Sequence, residues 1–213
     1  MGFFSDVCSA VSSACSSVCN AVSTGMSYAA NLVKEVGSMA VEGLRGVANV
    51  ICNIGKALGF IEQDVEPEAL GDQILQAEEM GVTLDSCDGD YDAYMEKIKN
   101  FKVDPEKSKT FSTDDKLRAA SVVVGAKIED HYGTSIGPLV PLMARLPEFF
   151  NGGRLKGLLD AGMSVYKISD YFSSNLNRKQ AAPIEADLIK QESKLSLGGD
   201  ESQLRDMLRS MRE

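Results

Sequence analysis

Several residue types are scarce in this sequence, and each scarcity narrows the chemistry open to it. The 213 residues contain no tryptophan and a single histidine, His131. The sequence shows no catalytic triad, metal-ligand cluster, phosphate-binding loop or dinucleotide fingerprint, so we expect no enzyme, no cofactor and no metal. His131 follows Glu129 and Asp130, where it could act as a base or ligand. Because no nucleophile motif accompanies it, we interpret it as a charge partner for the end of a helix.

Disulfide and zinc patterns are also missing. The cysteines are odd in number and form no Cys-x-x-Cys pair; they are Cys8, Cys15, Cys19, Cys52 and Cys87. We interpret them as small apolar side chains in a reducing compartment. The alternatives are disulfide formation, metal ligation or reversible acylation.

Targeting signals are absent from the start of the chain. No basic residue precedes Lys34, and there is no dense run of leucine or isoleucine, so the sequence predicts no secretory signal peptide. The Met-Gly start is followed by Asp6 where myristoylation favours serine or threonine. We expect synthesis in the cytoplasm and a final site at a membrane, or secretion without a classical signal.

The surplus of negative charge is confined to one stretch. The net charge is -9; residues 61–110 carry 14 acidic and 5 basic side chains, whereas the two signs balance in residues 1–60 and 111–213. A nucleic-acid surface needs a basic patch to offset phosphate charge. We therefore expect no nucleic acid among the partners.

What the sequence does contain is an eleven-residue repeat in residues 1–60. Apolar residues recur in three columns, which we call the N-terminal stripe: Val7, Val18, Ala29, Ala40 and Ile51; Val11, Val22, Val33 and Leu44; and Ala14, Gly25, Val36, Val47 and Leu58. Eleven residues make three helical turns with about 20° left over, so the stripe stays on one side of a nearly straight helix. A heptad register mixes polar and apolar residues, which argues against a left-handed coiled coil.

The repeat predicts a long N-terminal amphipathic helix or a helical hairpin. Its glycines each cost about 1 kcal/mol in a helix interior, so we expect a bend or break at one of them: Gly25, Gly37, Gly43, Gly46 or Gly55. The small side chains of the stripe would let another backbone approach closely. In its period alone the repeat resembles the lipid-surface helices of synucleins and perilipins, whose arrays are longer and richer in lysine and threonine, so we carry over no function from them.

Residues 7–33 are uncharged, and about 20 apolar residues suffice to cross a bilayer. Seven serines, two asparagines and one threonine in this run argue against a solitary span. Entry as part of a bundle, or a position flat in the interface, remains open. The alternative is a soluble helix packed on the C-terminal part of its own chain.

The rest of the chain predicts helices, and no alternating strand pattern is present, so the fold class is all-α with a helical bundle after the N-terminal region. We divide the chain into a membrane-active or self-association region (1–60), an acidic helical connector (61–110), a helical core domain (111–176) and a polar helical extension (177–213). The predicted helices start or span as follows: Pro67 to Met80 with a stop at Gly81; Tyr91 to Phe101 with Tyr94, Ile98 and Phe101 inward; Ser112 or Thr113 to Tyr132; a short helix from Pro138; 154–176 with Met163 and Tyr166 among its core residues; 184–195; and 201–211.

Residues 85–92 form an acidic segment that at first resembles a calcium loop. Counted from Asp88, the sixth position is Ala93 instead of glycine and the twelfth is Lys99 instead of glutamate, so the EF-hand pattern fails. We predict an acidic start to the following helix. A bound cation is the alternative.

Two functional hypotheses follow from these patterns. The first is a non-enzymatic membrane-active or membrane-seated helical protein, such as a bacterial secreted effector or a pore-forming toxin. The second is a self-assembling structural subunit of a filament, shell or injection apparatus. The expected partners are further copies of the chain in a homo-oligomer, a membrane, and a helper or carrier protein.

Overall fold

The computed structural model describes residues 29–195 and 200–212, together with Val18, Cys19 and Val22. Over these residues the chain is all-α and contains no strand, which confirms the all-α part of the predicted fold class. In chain order the helices are α1 (Ala29–Ser38), α2 (Val41–Ala57), α3 (Pro67–Glu79), α4 (Tyr91–Lys99), α5 (Pro105–Ser108), α6 (Thr113–Tyr132), α7 (Val140–Arg145), α8 (Gly152–Asp160), α9 (Val165–Phe172), α10 (Arg178–Leu195) and α11 (Glu201–Ser210). Two 3₁₀ turns, Asp85–Cys87 and Gly137–Leu139, lie between them.

Helix α6 is the centre of the bundle and packs against α1, α2 and α3. It begins at the predicted cap, where Ser112 Oγ accepts from the N–H of Asp115 at 3.1 Å and the Asp115 carboxylate accepts from the N–H of Ser112 at 3.3 Å. It ends at Gly133, whose φ of 62° suits a glycine. Every residue in 119–129 is buried, as expected for a helix that other helices surround.

From Ala29 onward, the N-terminal region enters this bundle as two helices, α1 and α2. The break lies at Met39 and Ala40, two residues beyond Gly37, and Ala40 is extended with ψ of 148°. The described hydrophobic core is continuous from Val18 to Leu208. Helices α1 and α2 therefore share their core with α6.

Helices α3 and α4 follow the sequence closely. Pro67 starts α3, and Gly81, with φ of 83°, follows its end. Asp90 caps α4 by accepting from the N–H groups of Asp92 at 2.9 Å and Ala93 at 3.0 Å. Tyr94 and Ile98 are buried as predicted, whereas Phe101, which was also predicted to point inward, is half-buried.

The predicted helix over residues 154–176 is wrong, because the chain forms α8 and α9 there. Gly162 has φ of 67°, and Ser164 caps α9 by accepting from the N–H of Lys167 at 3.4 Å. Because of this turn, the residues of α9 that point toward the core are not those that one continuous helix would place there. Tyr166, predicted in the core, is 54% exposed, and Met163 is half-buried.

Helix α10 begins at Arg178, six residues earlier than predicted. The side chain of Asn177 accepts from the N–H groups of Lys179 at 3.0 Å and Gln180 at 3.1 Å, so it caps the helix. Pro183 lies inside the helix. Helix α10 packs against α8, α9 and α11 and closes one side of the bundle.

Candidate functional site

The described residues of the N-terminal stripe face the bundle interior. Eight of them expose 3% or less of their surface: Val18, Val22, Ala29, Val33, Val36, Leu44, Val47 and Ile51. Leu58 is half-buried after α2, and Ala40 is exposed at the break between α1 and α2. The remaining members, Val7, Val11, Ala14 and Gly25, lie outside the described residues. The structure thus brings most of the described stripe onto one surface.

Polar residues occupy the opposite side of α1 and α2. Seven of them are exposed: Asn31, Lys34, Ser38, Glu42, Arg45, Asn49 and Asn53. The two helices are therefore amphipathic, with an apolar side against the bundle and a polar side toward solvent.

Helix α6 packs closely against α1 and α2 at glycine residues. A Cβ on Gly125 of α6 would lie 2.6 Å from Cδ2 of Leu32 in α1. In the reverse sense, a Cβ on Gly55 of α2 would lie 2.6 Å from Cγ1 of Val124 in α6. Each glycine leaves room for a side chain of the other helix, so the backbones approach closely. Gly55 therefore serves helix packing.

Arg118 connects α6 to the break between α1 and α2. Its guanidinium donates to the carbonyls of Val36, Gly37 and Met39, with distances of 2.9 Å to the last two. These carbonyls belong to the end of α1, where the helix itself offers no donors. A cation there is also favoured by the helix dipole. We call this set of bonds the Arg118 clamp.

Lys127 joins the end of the N-terminal region to α4 and α6. Its ammonium lies 2.8 Å from the carboxylate of Asp92 and over the rings of Phe60 and Tyr91, at 5.5 Å and 5.4 Å from their centroids. Asp90 and Asp92 of the acidic segment thus act as a helix cap and an ion-pair partner. Among the described residues, no group of three or more His, Cys, Asp or Glu could hold a metal ion.

Glu129 is buried near the C-terminal end of α6. One of its oxygens accepts from the Ser135 hydroxyl at 2.8 Å and from the N–H of Ile136 at 2.7 Å, while the other has no partner among the described residues. Burial raises the pKa of Glu129 to about 7, and these hydrogen bonds oppose the rise. His131 instead is exposed, with its ring edge-on to Phe60 and Tyr132. Glu129 and His131 therefore have different environments.

The described cysteines lie in the interior. Cys19, Cys52 and Cys87 are buried, and Cys52 and Cys87 are free thiols. Burial raises the pKa of the Cys52 thiol to about 12, which leaves it inert as a nucleophile. Cys8 and Cys15 lie outside the described residues.

Sequence reasoning missed two features that the structure reveals. Arg118 was not singled out, although a lone arginine within an apolar helix requires acceptors. A cleft lined by arginines between α10 and α11 was also missed. The spacing of Arg205, Arg209 and Arg212, which places them on one side of a helix, is the signal that could have indicated it.

No described helix has both the length and the apolar character needed to cross a membrane. The function of the chain has to be inferred from its own geometry. The chain matches no protein-family model, and no curated protein or solved structure is significantly similar to it.

Proposed function

We propose that the protein is a non-enzymatic helical protein that acts at membranes, as a secreted effector or a pore-forming toxin would. Residues 1–60 are the segment that meets lipid, and the fold described above is the water-soluble form. The observation that supports this proposal is the burial of most of the described residues of the N-terminal stripe, on helices that pack against α6, α7 and α8. Apolar side chains destined for lipid have to be covered while the protein is in water.

The free energy needed to expose the N-terminal stripe favours a membrane as the trigger for its release from the bundle. Moving a buried valine, leucine or isoleucine into water costs about 1.5–3 kcal/mol, so release of the eight buried stripe residues in water is strongly unfavourable. Lipid tails are as apolar as these side chains, so transfer into a bilayer removes most of that cost. The inner side of α6 would be uncovered at the same time, and its residues 119–126 carry no charge.

Two sets of polar contacts made by α6 hold the N-terminal helices in place. The Arg118 clamp fixes the break between α1 and α2, and Lys127 fixes Phe60 at the end of the region. Breaking these bonds beside a polar headgroup layer replaces protein acceptors with lipid acceptors. The remaining interface is apolar and non-directional, so it can be exchanged for lipid.

The second hypothesis, a self-assembling subunit, has less support from the geometry. A stripe that binds further copies of the chain needs to lie on the outer surface. In the described residues the stripe lies under a helix of the same chain, and the outer side of α1 and α2 is polar.

Liposome binding of the full-length protein tests the proposal. Flotation and dye leakage would be measured with phosphatidylcholine vesicles that contain phosphatidylglycerol, and thiol alkylation would be mapped by mass spectrometry. We expect flotation, leakage and faster alkylation of Cys52 in α2 when vesicles are present. Arg118→Ala should increase leakage, whereas Arg45→Ala, which removes an exposed arginine of α2, should not.

Light scattering of the protein alone measures its oligomeric state, which is then considered together with the vesicle assays. A large homo-oligomer that neither floats nor releases dye, with Cys52 still protected, would overturn the membrane proposal and support the assembly subunit.

A further inference from the structure

A cleft lined by arginines separates α10 from α11. It has a volume of about 660 Å³, which suits a small ligand or a headgroup. Its basic residues are Arg178, Arg205, Arg209 and Arg212. Alanines on the α10 side leave the space open: Ala181, Ala182 and Ala186.

The cleft concentrates positive charge in an acidic protein. Its lining holds four arginines and one carboxylate, Glu185, in a chain whose net charge is -9. Outside the lining, Glu201 pairs with Arg205 at 2.9 Å and Asp206 is close enough to influence Arg209. With Glu185, Glu201 and Asp206 all counted against the four arginines, a surplus of one positive charge remains. The surplus calls for an anion.

Buried groups position the arginines on the α11 side. Glu185, which is only 7% exposed, accepts from Nε and Nη2 of Arg209, each at 2.9 Å, and lies 3.2 Å from Nε of Arg205. The hydroxyl of Tyr171 donates to Glu185 at 3.0 Å. The cleft is therefore ordered before any ligand arrives.

The other two arginines complete the lining. Arg212 donates to the carbonyls of Tyr171 at 3.0 Å and Leu176 at 3.1 Å, which fixes its guanidinium. Arg178 is exposed, and its guanidinium makes no hydrogen bond or ion pair with any other described residue. Arg205 and Arg209 keep 39% and 53% of their side chains exposed, and a guanidinium has five N–H donors. Donors therefore remain for a ligand.

We propose that this cleft binds a phosphate group, with Arg178 and Arg205 as direct contacts and Glu185 as the positioning residue. A phosphate monoester carries about -1.5 to -2 charges, which is enough to neutralise the surplus. Its oxygens suit the paired N–H groups of guanidinium, and such charge-assisted bonds are the strong ones. The group can belong to a soluble phosphate compound or to a lipid headgroup. This inference does not depend on the membrane function proposed above.

Two arms of one experiment on the full-length protein test the site. Calorimetric titration with inorganic pyrophosphate probes soluble phosphate, and flotation with phosphatidylcholine vesicles with and without phosphatidic acid probes a headgroup. Arg178→Ala and Arg205→Gln should each weaken binding about tenfold in the arm that binds. Lys102→Gln is the control, because it removes one positive charge from an exposed side chain between α4 and α5, outside both the cleft and residues 1–60, and should leave the affinity unchanged.

Comparison of the titration with the flotation assay identifies the source of the phosphate. Pyrophosphate binding that the two cleft variants weaken supports a soluble ligand, and flotation that depends on phosphatidic acid and weakens in the same variants supports a headgroup. The proposal is overturned by absence of binding in both arms, or by equal weakening in Lys102→Gln. It is also overturned if both cleft variants float and titrate like the wild type, whatever the outcome for dye leakage.

Discussion

Nη2 of Arg118 lies 2.9 Å from the carbonyl oxygen of Met39, so a side chain from the middle of α6 closes the break between two earlier helices. The same guanidinium bonds the carbonyls of Val36 and Gly37. One residue thereby satisfies the main-chain acceptors that the end of α1 leaves open. The position of α1 and α2 on the bundle depends on this clamp as well as on apolar packing.

Removal of the clamp should destabilise the fold. Arg118→Ala removes the donor to three partly buried carbonyls, of which that of Val36 keeps a 3.4 Å bond from the N–H of Met39, and we expect the free energy of unfolding to fall by about 2 kcal/mol. Urea unfolding followed by circular dichroism measures this. Arg45→Ala, which removes an exposed ion pair with Glu68, should change it by less than about 0.5 kcal/mol. Equal effects from the two substitutions would contradict the clamp.

Loss of the clamp should also open the N-terminal helices locally. We expect Cys52 of α2 to be alkylated faster in Arg118→Ala than in the wild type under native conditions, because its thiol reacts only when α2 leaves the core. Cys87, buried in the turn before α4, serves as the internal control and should keep its wild-type rate. Peptide mapping by mass spectrometry separates the two. Parallel acceleration of both thiols would mean global unfolding instead.

Two glycines of α2 should respond in opposite directions to alanine. A Cβ at Gly55 would lie 2.6 Å from Val124, a stiff buried side chain, so Gly55→Ala should destabilise the protein by about 1–3 kcal/mol. A Cβ at Gly46 would meet nothing within 4 Å, so Gly46→Ala should stabilise it by up to about 1 kcal/mol. Thermal and urea unfolding of the two variants check the signs. A stabilising Gly55→Ala would show that α2 and α6 are not closely packed there.

The carboxyl of Glu129 should make stability depend on pH. Its pKa of about 7 in the folded state exceeds the ordinary 4.5 of an unfolded chain. The folded state therefore holds the extra proton between these values, so the contribution is full below about pH 4.5 and is lost as pH rises through about 7. From about pH 5 to about pH 8, the wild type should lose about 2 kcal/mol more than Glu129→Gln. Urea unfolding at both pH values measures the difference, and parallel profiles would contradict it.

Local signals in the sequence predicted much of the helical bundle. Helix α6 was predicted with its start and end because Ser112, Asp115 and Gly133 are strong capping residues. Helix α3 followed from Pro67 and Gly81 in the same way. These signals act within a few residues, so no tertiary structure is needed to interpret them.

The errors arose where local signals were weak or were overlooked. Gly162 and Ser164 divide the helix predicted over residues 154–176, and the pair could have been interpreted as a stop followed by a cap. Asn177 likewise starts α10 earlier than the apolar pattern indicated.

The candidate site depended on contacts that are distant along the chain. The apolar side of α1 and α2 was predictable from its period, but its cover was not. No local pattern links Arg118 to Met39, which is 79 residues away, or Gly125 to Leu32. The arginine cleft also requires Glu185 of α10 to approach Arg209 of α11, 24 residues later.

The separation between the stripe and its cover also sets an order of events during synthesis. Arg118 bonds a carbonyl 82 residues before it. At about 5–20 residues per second, the ribosome needs roughly 4 to 16 s to add that length. During this interval the apolar side of α1 and α2 is bare on the nascent chain. A chaperone or any other partner that binds apolar surface therefore has its first access to these helices before α6 emerges, and the outcome of that encounter decides which chains complete the fold.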